Sequence, residues 1–321
     1  MALAVQLHDN VLPPRDSSLR DEALAGFAAS PKHLSPKFFY DRRGSELFEQ
    51  ICLQPEYYLT RTEEAILAEA ADEIRQIVGP QSNLIELGSG ASRKVRLLLE
   101  GLRPASYLGI DISEDFLLSS TRCLAADYPW LDVHAVCSDF SDHLQLPDDF
   151  ALDHPLVFFP GSSIGNFTPE QACRLLGHLH DVLPPGGGVL IGVDLLKDKA
   201  TLEAAYNDRA QVTAAFNLNL LHRIRRELRS DIDPSRFVHR AFFNEAQSRI
   251  EMHLVSRTDQ TVALEGQLFR FQAGESLHSE NSYKYSLPGF INLAGSAGFD
   301  SSGLWTDPGQ LFSVHYLQRR P

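Results

Sequence analysis

The run Asn83-Leu84-Ile85-Glu86-Leu87 is apolar apart from Asn83 and Glu86 and ends in the turn Gly88-Ser89-Gly90. Apolar residues at helical spacing follow, and the pattern predicts a helix over Ser92 to Gly101. A strand that turns through bare backbone into a helix commits this stretch to a layered α/β arrangement. The same turn places backbone N–H groups at a helix N-terminus, where a nucleotide-sized ligand fits. A dinucleotide fingerprint requires a third glycine three residues after the second, and Arg93 holds that place, which argues against a nicotinamide or flavin enzyme. Taken alone, the turn has a plain alternative, a ligand-free strand-to-helix connection.

Short apolar runs continue at Ser106 to Ile110, Asp132 to Cys137, Pro155 to Pro160 and Gly188 to Asp194, with helical stretches at Glu114 to Asp127 and Pro169 to Leu183 between them. The alternation predicts a parallel, Rossmann-like sheet covered on both faces. Thr168, Pro169 and Gln171 supply a cap, a first helical residue and a capping box, and Pro184-Pro185-Gly186-Gly187-Gly188 stops that helix. After Asp194 the texture changes to helices at Lys199 to Asn207 and Ala210 to Leu228. Strands are then expected at Phe237 to Asn244, Arg249 to Arg257 and Thr261 to Phe271. The expected organisation is one α/β domain at 64–196 and 286–321 and a second α+β lobe at 1–63 and 197–285. A helix at Leu287 to Ala297 and strands near Leu304 and Leu311 to Gln318 close the first domain.

With 321 residues and a formal net charge of −13, the chain sets up a field that repels phosphate, so nucleic acid and anionic membrane are not expected partners. Met1 to Asn10 carries no basic lead, and no apolar window reaches membrane-spanning length, so the expectation is a cytoplasmic monomer acting on a small molecule. Cys52, Cys123, Cys137 and Cys173 form no C-x-x-C pair and signal no metal site.

Asp111 ends the next strand, about 20 residues beyond the glycine turn, where an acid meets ribose hydroxyls in doubly wound folds. Asp139 and Phe140 follow the third strand and offer an acceptor for an exocyclic amine and a ring for a purine. Lys94, in the expected first helical turn, is mismatched to the helix dipole unless an anion lies nearby. Helix capping by the two aspartates and a solvated lysine are the plain alternatives.

The segment Glu86-Leu87-Gly88-Ser89-Gly90 resembles the first motif of methyltransferases that use S-adenosylmethionine. More specific motifs are Lys37-Phe38-Phe39-Tyr40-Asp41, Gly44-Ser45-Glu46-Leu47-Phe48 and Pro55-Glu56-Tyr57-Tyr58-Leu59-Thr60-Arg61-Thr62-Glu63. Others are Gly161-Ser162-Ser163-Ile164-Gly165-Asn166, Ala205-Tyr206-Asn207-Asp208, Val212-Thr213-Ala214-Ala215-Phe216-Asn217 and Arg249-Ile250-Glu251-Met252. Together, from about Ser35 to the C-terminus, they resemble the histidine Nα-methyltransferases of ergothioneine biosynthesis. The resemblance implies trimethylation of the L-histidine α-amine to hercynine, with S-adenosylmethionine as cosubstrate. It implies that Glu86, Gly88, Gly90, Lys94, Asp111, Asp139 and Phe140 hold the donor. Asn166 and Tyr206 would bind the substrate carboxylate, Tyr57, Glu280 and Ser282 the imidazole, and Tyr40 and Phe48 would lie at the amine. Gly161, Thr213 and Met252 would border the same pocket.

The residue types suit that chemistry. Methyl transfer is an in-line displacement that requires alignment and desolvation, and it calls for no metal. An α-amine with a pKa of about 7.7 to 8.0 is partly deprotonated near neutrality, so a strong general base is dispensable. Aromatic faces accept the quaternary ammonium that accumulates. Leu59, Ser163, Asn281, Tyr283 and Tyr285 depart from the family pattern, and the expectation is that these changes touch the pocket rim. Two other readings stand beside histidine: N-methylation of another amino acid such as tryptophan, or of a histidine derivative, and an idle S-adenosylmethionine-binding protein. Glu280 favours histidine, because a carboxylate facing an indole gains little for its desolvation.

Overall fold

The computed structural model describes residues 5–8, 18–141 and 144–320. Most of the reading of Met1 to Asn10 lies outside them. The strands in chain order are β1 Gln6–Leu7, β2 Lys32–His33, β3 Asn83–Leu87, β4 Ser106–Asp111, β5 Asp132–Cys137, β6 Pro155–Phe159 and β7 Gly188–Asp194. They continue as β8 Phe237–Asn244, β9 Arg249–Ser256, β10 Gln260–Leu264, β11 Gln267–Phe271, β12 Ser276–Tyr283, β13 Phe299–Thr306 and β14 Phe312–Arg319. The chain divides into two compact units, one of 1–14, 59–196 and 284–321, the other of 15–58 and 197–283.

The first unit is built on a sheet in the order β1-β5-β4-β3-β6-β7-β14-β13. Neighbours from β1 to β7 run parallel, and β14 lies antiparallel to both β7 and β13. Every residue of β3, β6 and β7 is buried, as expected for strands covered on both faces. From β3 the order runs outward through β4 and β5 on one side and β6 and β7 on the other. The carboxyl end of β3 is therefore a topological switch point, where open α/β sheets bind ligands. The capping box forms as expected: Gln171 N donates to Thr168 Oγ1 and Thr168 N to Gln171 Oε1.

Several elements differ from the sequence expectation. The first helix starts at Val95, three residues late, because Ser92 at φ 50° is left-handed and cannot continue a right-handed helix. The expected strand Thr261 to Phe271 is a hairpin, turned at Glu265 and Gly266, both with positive φ. The polar run at Glu280 lies in a strand, β12. Gln6 and Leu7 pair with β5 in the first unit, although residues 1–63 were expected in the second lobe.

The second unit carries a four-stranded sheet, β2-β12-β9-β8. The helix Val212–Glu227 packs on β8 and β9, and the helix Arg42–Cys52 packs on that helix. Asp41 ties these together: its carboxylate accepts from Gly44 N and Asn219 Nδ2 and pairs with Arg226 at 2.6 Å. Gly44 is required there, since a Cβ would stand 1.7 Å from the Phe39 carbonyl oxygen.

The chain leaves the first unit after Leu196 and returns at Lys284. At this crossing Lys284 Nζ lies 2.6 Å from Asp194 Oδ2, and both side chains have 0% exposure. Tyr285 N donates to the Asp194 carbonyl and Leu196 N to the Tyr285 carbonyl, so the outgoing and returning segments are bonded to each other. Replacing Lys284 by Met leaves a buried carboxylate without its cation. The expected cost is about 3–5 kcal/mol, read as a lowered urea midpoint at unchanged slope.

Candidate active site

The turn after β3 is shaped by positive φ at Gly88 (66°) and Gly90 (48°). Gly88 N and Ser89 N both donate to the Ile110 carbonyl, at 2.8 and 3.1 Å. Asp111 completes the turn, accepting from Gly90 N on Oδ2 and from Ser113 N on Oδ1, each at 2.9 Å. Burial raises its pKa above the ordinary carboxylate value, against the pull of these backbone donors. Asp139 accepts from Ser141 N at 2.9 Å. Phe140 stands edge-on to Phe159, and a Cβ on Gly88 would come 4.0 Å from its Cζ, so the ring borders the turn. Open backbone, an aromatic edge and two carboxylates at consecutive strand ends are the donor and acceptor set that an adenosine and a ribose diol require. The residues present therefore fit S-adenosylmethionine.

Glu86 is 2% exposed and receives the Tyr107 hydroxyl at 2.6 Å. Burial outweighs that hydrogen bond and lifts the Glu86 pKa to about 8. Lys94 does face an anion, and that anion is the carboxylate of Glu63, 2.5 Å away. Glu63 has 0% exposure, and its two oxygens also accept from Gly161 N at 3.0 and 2.9 Å. Gly192 makes room for it, since a Cβ there would lie 2.0 Å from Glu63 Oε1. Gly161 itself has φ 81°, and a Cβ on it would approach Lys94 Nζ to 3.4 Å. Sequence reasoning missed Glu63 as a site residue. It appeared only as the last letter of a motif, and nothing local signals that a helical glutamate will be fully buried.

The second unit gathers Tyr40, Phe48, Tyr57, Tyr206, Thr213, Met252, Glu280 and Ser282. Tyr40 and Phe48 meet edge-on at 5.8 Å, Phe48 and Tyr57 at 6.4 Å, and Tyr57 and Tyr206 at 6.2 Å. Tyr206 donates its hydroxyl to Ser282 Oγ at 2.8 Å. Burial, then the neighbouring Tyr206, push the Tyr57 pKa well above its usual value, with the negative field of Glu280 adding to the rise. Thr213 is fixed through its backbone N, which donates to Asp208 Oδ1. Gly161 and Asn166, expected beside these residues, belong to the first unit, where Asn166 ends a short 3₁₀ turn.

A β-bulge decides which way Glu280 points. The β12–β9 register shifts between His278 and Glu280, with His278 opposite His253 and Glu280 opposite Met252. Ser279 is the extra residue, and its hydroxyl reaches Asn217 on the helix side of the sheet. From the bulge onward Glu280 and Ser282 share the face of Met252 and Ile250, while Asn281 and Tyr283 turn to the opposite face with Glu251 and Arg249. The sequence changes at Asn281 and Tyr283 thus lie on the other side of the sheet from Glu280, not at its rim as expected.

A family model described as histidine-specific methyltransferase, SAM-dependent, matches residues 19–319. The chain belongs to this family. It is 42% identical over 310 residues to the histidine N-alpha-methyltransferase of Mycolicibacterium smegmatis, covering 94% of this chain and 95% of that one. Against the histidine N-alpha-methyltransferase of Mycobacterium tuberculosis the identity is 39% over 298 residues, 90% of this chain and 91% of the other. Ergothioneine biosynthesis protein 1 of Neurospora crassa is 32% identical over 303 residues, which are 90% of this chain and 33% of that protein. The chain is therefore an S-adenosylmethionine-dependent methyltransferase with the α/β fold of its class. No helix among the described residues is long and apolar enough to cross a membrane.

In this methyltransferase Glu86 keeps its proton up to about pH 8, whereas an unfolded glutamate loses it near 4.5. Between those values the native state holds the extra proton, so stability falls as pH rises. Glu86→Gln keeps a neutral group of the same shape and should remove that slope. Its urea midpoint is expected to match the wild type below about pH 4 and to exceed it at about pH 8.

Proposed function

We propose that this enzyme methylates the α-amine of L-histidine three times, forming the betaine hercynine, as a step towards ergothioneine. S-adenosylmethionine supplies a methyl group on a cationic sulfur, and the chain's own residues align it with the amine. In this reading Gly88, Gly90, Lys94, Asp111, Asp139 and Phe140 hold the donor, with Glu86 closing the turn behind it. Tyr206 and Asn166 take the substrate carboxylate. Glu280 accepts the imidazole N–H, Ser282 and Tyr57 add polar contacts around the ring, and Met252 packs against it. Tyr40 and Phe48 line the amine and offer ring faces to the growing ammonium.

The observation that carries the reading is the face shared by Met252, Glu280 and Ser282, with the Tyr206 hydroxyl bonded to Ser282. A carboxylate turned by a bulge onto an aromatic-rich face suits an imidazole, which has N–H groups at both ends of the ring. The displacement needs no Lewis acid, and Lys94 and Gly161 are steadied by Glu63, which acts as a positioning residue. We place the enzyme in the cytoplasm as a monomer.

The decisive experiment offers S-adenosylmethionine and a panel of amino acids to the purified enzyme and reads product masses. Histidine should gain one, two and three methyl groups in succession. Methylation of tryptophan or another amino acid with histidine untouched would overturn the assignment. Glu280→Ala should raise the histidine KM by about 10- to 100-fold, the loss of one charged hydrogen bond, with donor affinity unchanged by calorimetry. Unchanged kinetics would remove Glu280 from the imidazole site.

A further inference from the structure

The face of the four-stranded sheet opposite Met252, Glu280 and Ser282 carries a second cluster. Strand alternation puts Glu251 and His253 of β9 side by side on it, and pairing sets His278 of β12 directly across from His253. One ligand atom from each of the three lies within 4.8 Å of the others. His253 Nε2 is 3.0 Å from Glu251 Oε2, and the His253 and His278 rings stack at 4.7 Å, 18° from parallel. Phe242 of β8 covers the other face of His253 at 5.3 Å.

Two buried atoms in this patch have no hydrogen-bond partner among the described residues: His253 Nδ1 and Asn281 Oδ1, the latter on the residue facing Glu251 across the strands. The second oxygen of Glu251 is already spoken for. Oε1 accepts from Arg249 Nε and Nη2 and from Asn244 Nδ2, at 2.6 to 2.8 Å. These donors orient the carboxylate from behind, as outer-shell partners orient metal ligands, and leave Oε2 towards the histidines.

We propose that Glu251, His253 and His278 bind one divalent transition-metal ion, with the Asn281 carbonyl oxygen as a fourth donor. Two imidazoles, a carboxylate and an amide oxygen favour zinc, cobalt or nickel over calcium or magnesium. Ligand bonds of about 2.0–2.2 Å place neighbouring donors about 3.3 Å apart in a tetrahedral site, close to the present separation of His253 and Glu251. The ion replaces the hydrogen bond between those two and draws His278 in by side-chain rotation. It cross-links β9 to β12 on either side of Ser279, so it fixes the bulge that aims Glu280. The site stands on the geometry of the second unit alone, independent of which amino acid is methylated.

Cobalt(II) titration of the intact, metal-free enzyme tests this directly. We expect one equivalent to bind with visible d–d bands and no thiolate charge-transfer band, which separates this site from the four cysteines. His253→Gln and His278→Asn, checked for folding by circular dichroism, should each weaken binding about tenfold or more. X-ray absorption on the zinc-loaded wild type needs no variant and should show two imidazoles with oxygen donors and no sulfur. Sulfur in the first shell, binding unmoved by both substitutions in folded protein, or no saturable binding would each overturn the proposal. Any of these results leaves the methylation assay untouched, so the two readings fail separately.

Discussion

An ammonium and a carboxylate sealed from water hold the sheet together where the chain departs from it and comes back. Lys284 Nζ and Asp194 Oδ2 stand 2.6 Å apart with no solvent contact, and the backbone around them is bonded across the same gap. Desolvating two ions is costly, and an apolar pair of similar volume could match such a bridge in stability. What an apolar pair would lack is direction. Here the ion pair fixes the ends of an 87-residue excursion, 197–283, so that β14 can return antiparallel to β7.

Buried carboxylates recur through the first unit, each answered differently. Asp194 meets a lysine, Glu63 a lysine and a backbone N–H, Asp111 two backbone N–H groups, and Glu86 a tyrosine hydroxyl. Glu86, with one neutral donor close by, is pushed up to about 8. The graded partnership explains how several acids can sit near one glycine turn without mutual repulsion unfolding it: one of them gives up its charge instead.

The parallel sheet was legible because strands buried on both faces are mostly apolar, as β3, β6 and β7 are. The capping box at Thr168 was legible because its donors and acceptors are three residues apart. What escaped were contacts made by chain reversal. Glu63 reaches Gly161 across 98 residues, and no periodicity encodes that. Strand β12 was hidden because His278, Ser279, Glu280, Asn281 and Ser282 are all polar, and a strand with polar groups on both faces resembles a loop in composition. The candidate donor residues were proposed from spacing along the alternating strands, whereas the candidate acceptor residues came only through family motifs.

The extra residue at Ser279 gives strand β12 a property that none of its side chains has alone. Upstream of it, odd-numbered positions face the helix; downstream, even-numbered ones do. Were Ser279 to pair regularly with Met252 instead of bulging, β12 would keep every functional group but swap the faces from Glu280 to Tyr283, setting the carboxylate of Glu280 among the histidines. The facing of these groups is thus held as phase along a strand, set by how many residues β12 spends against β9.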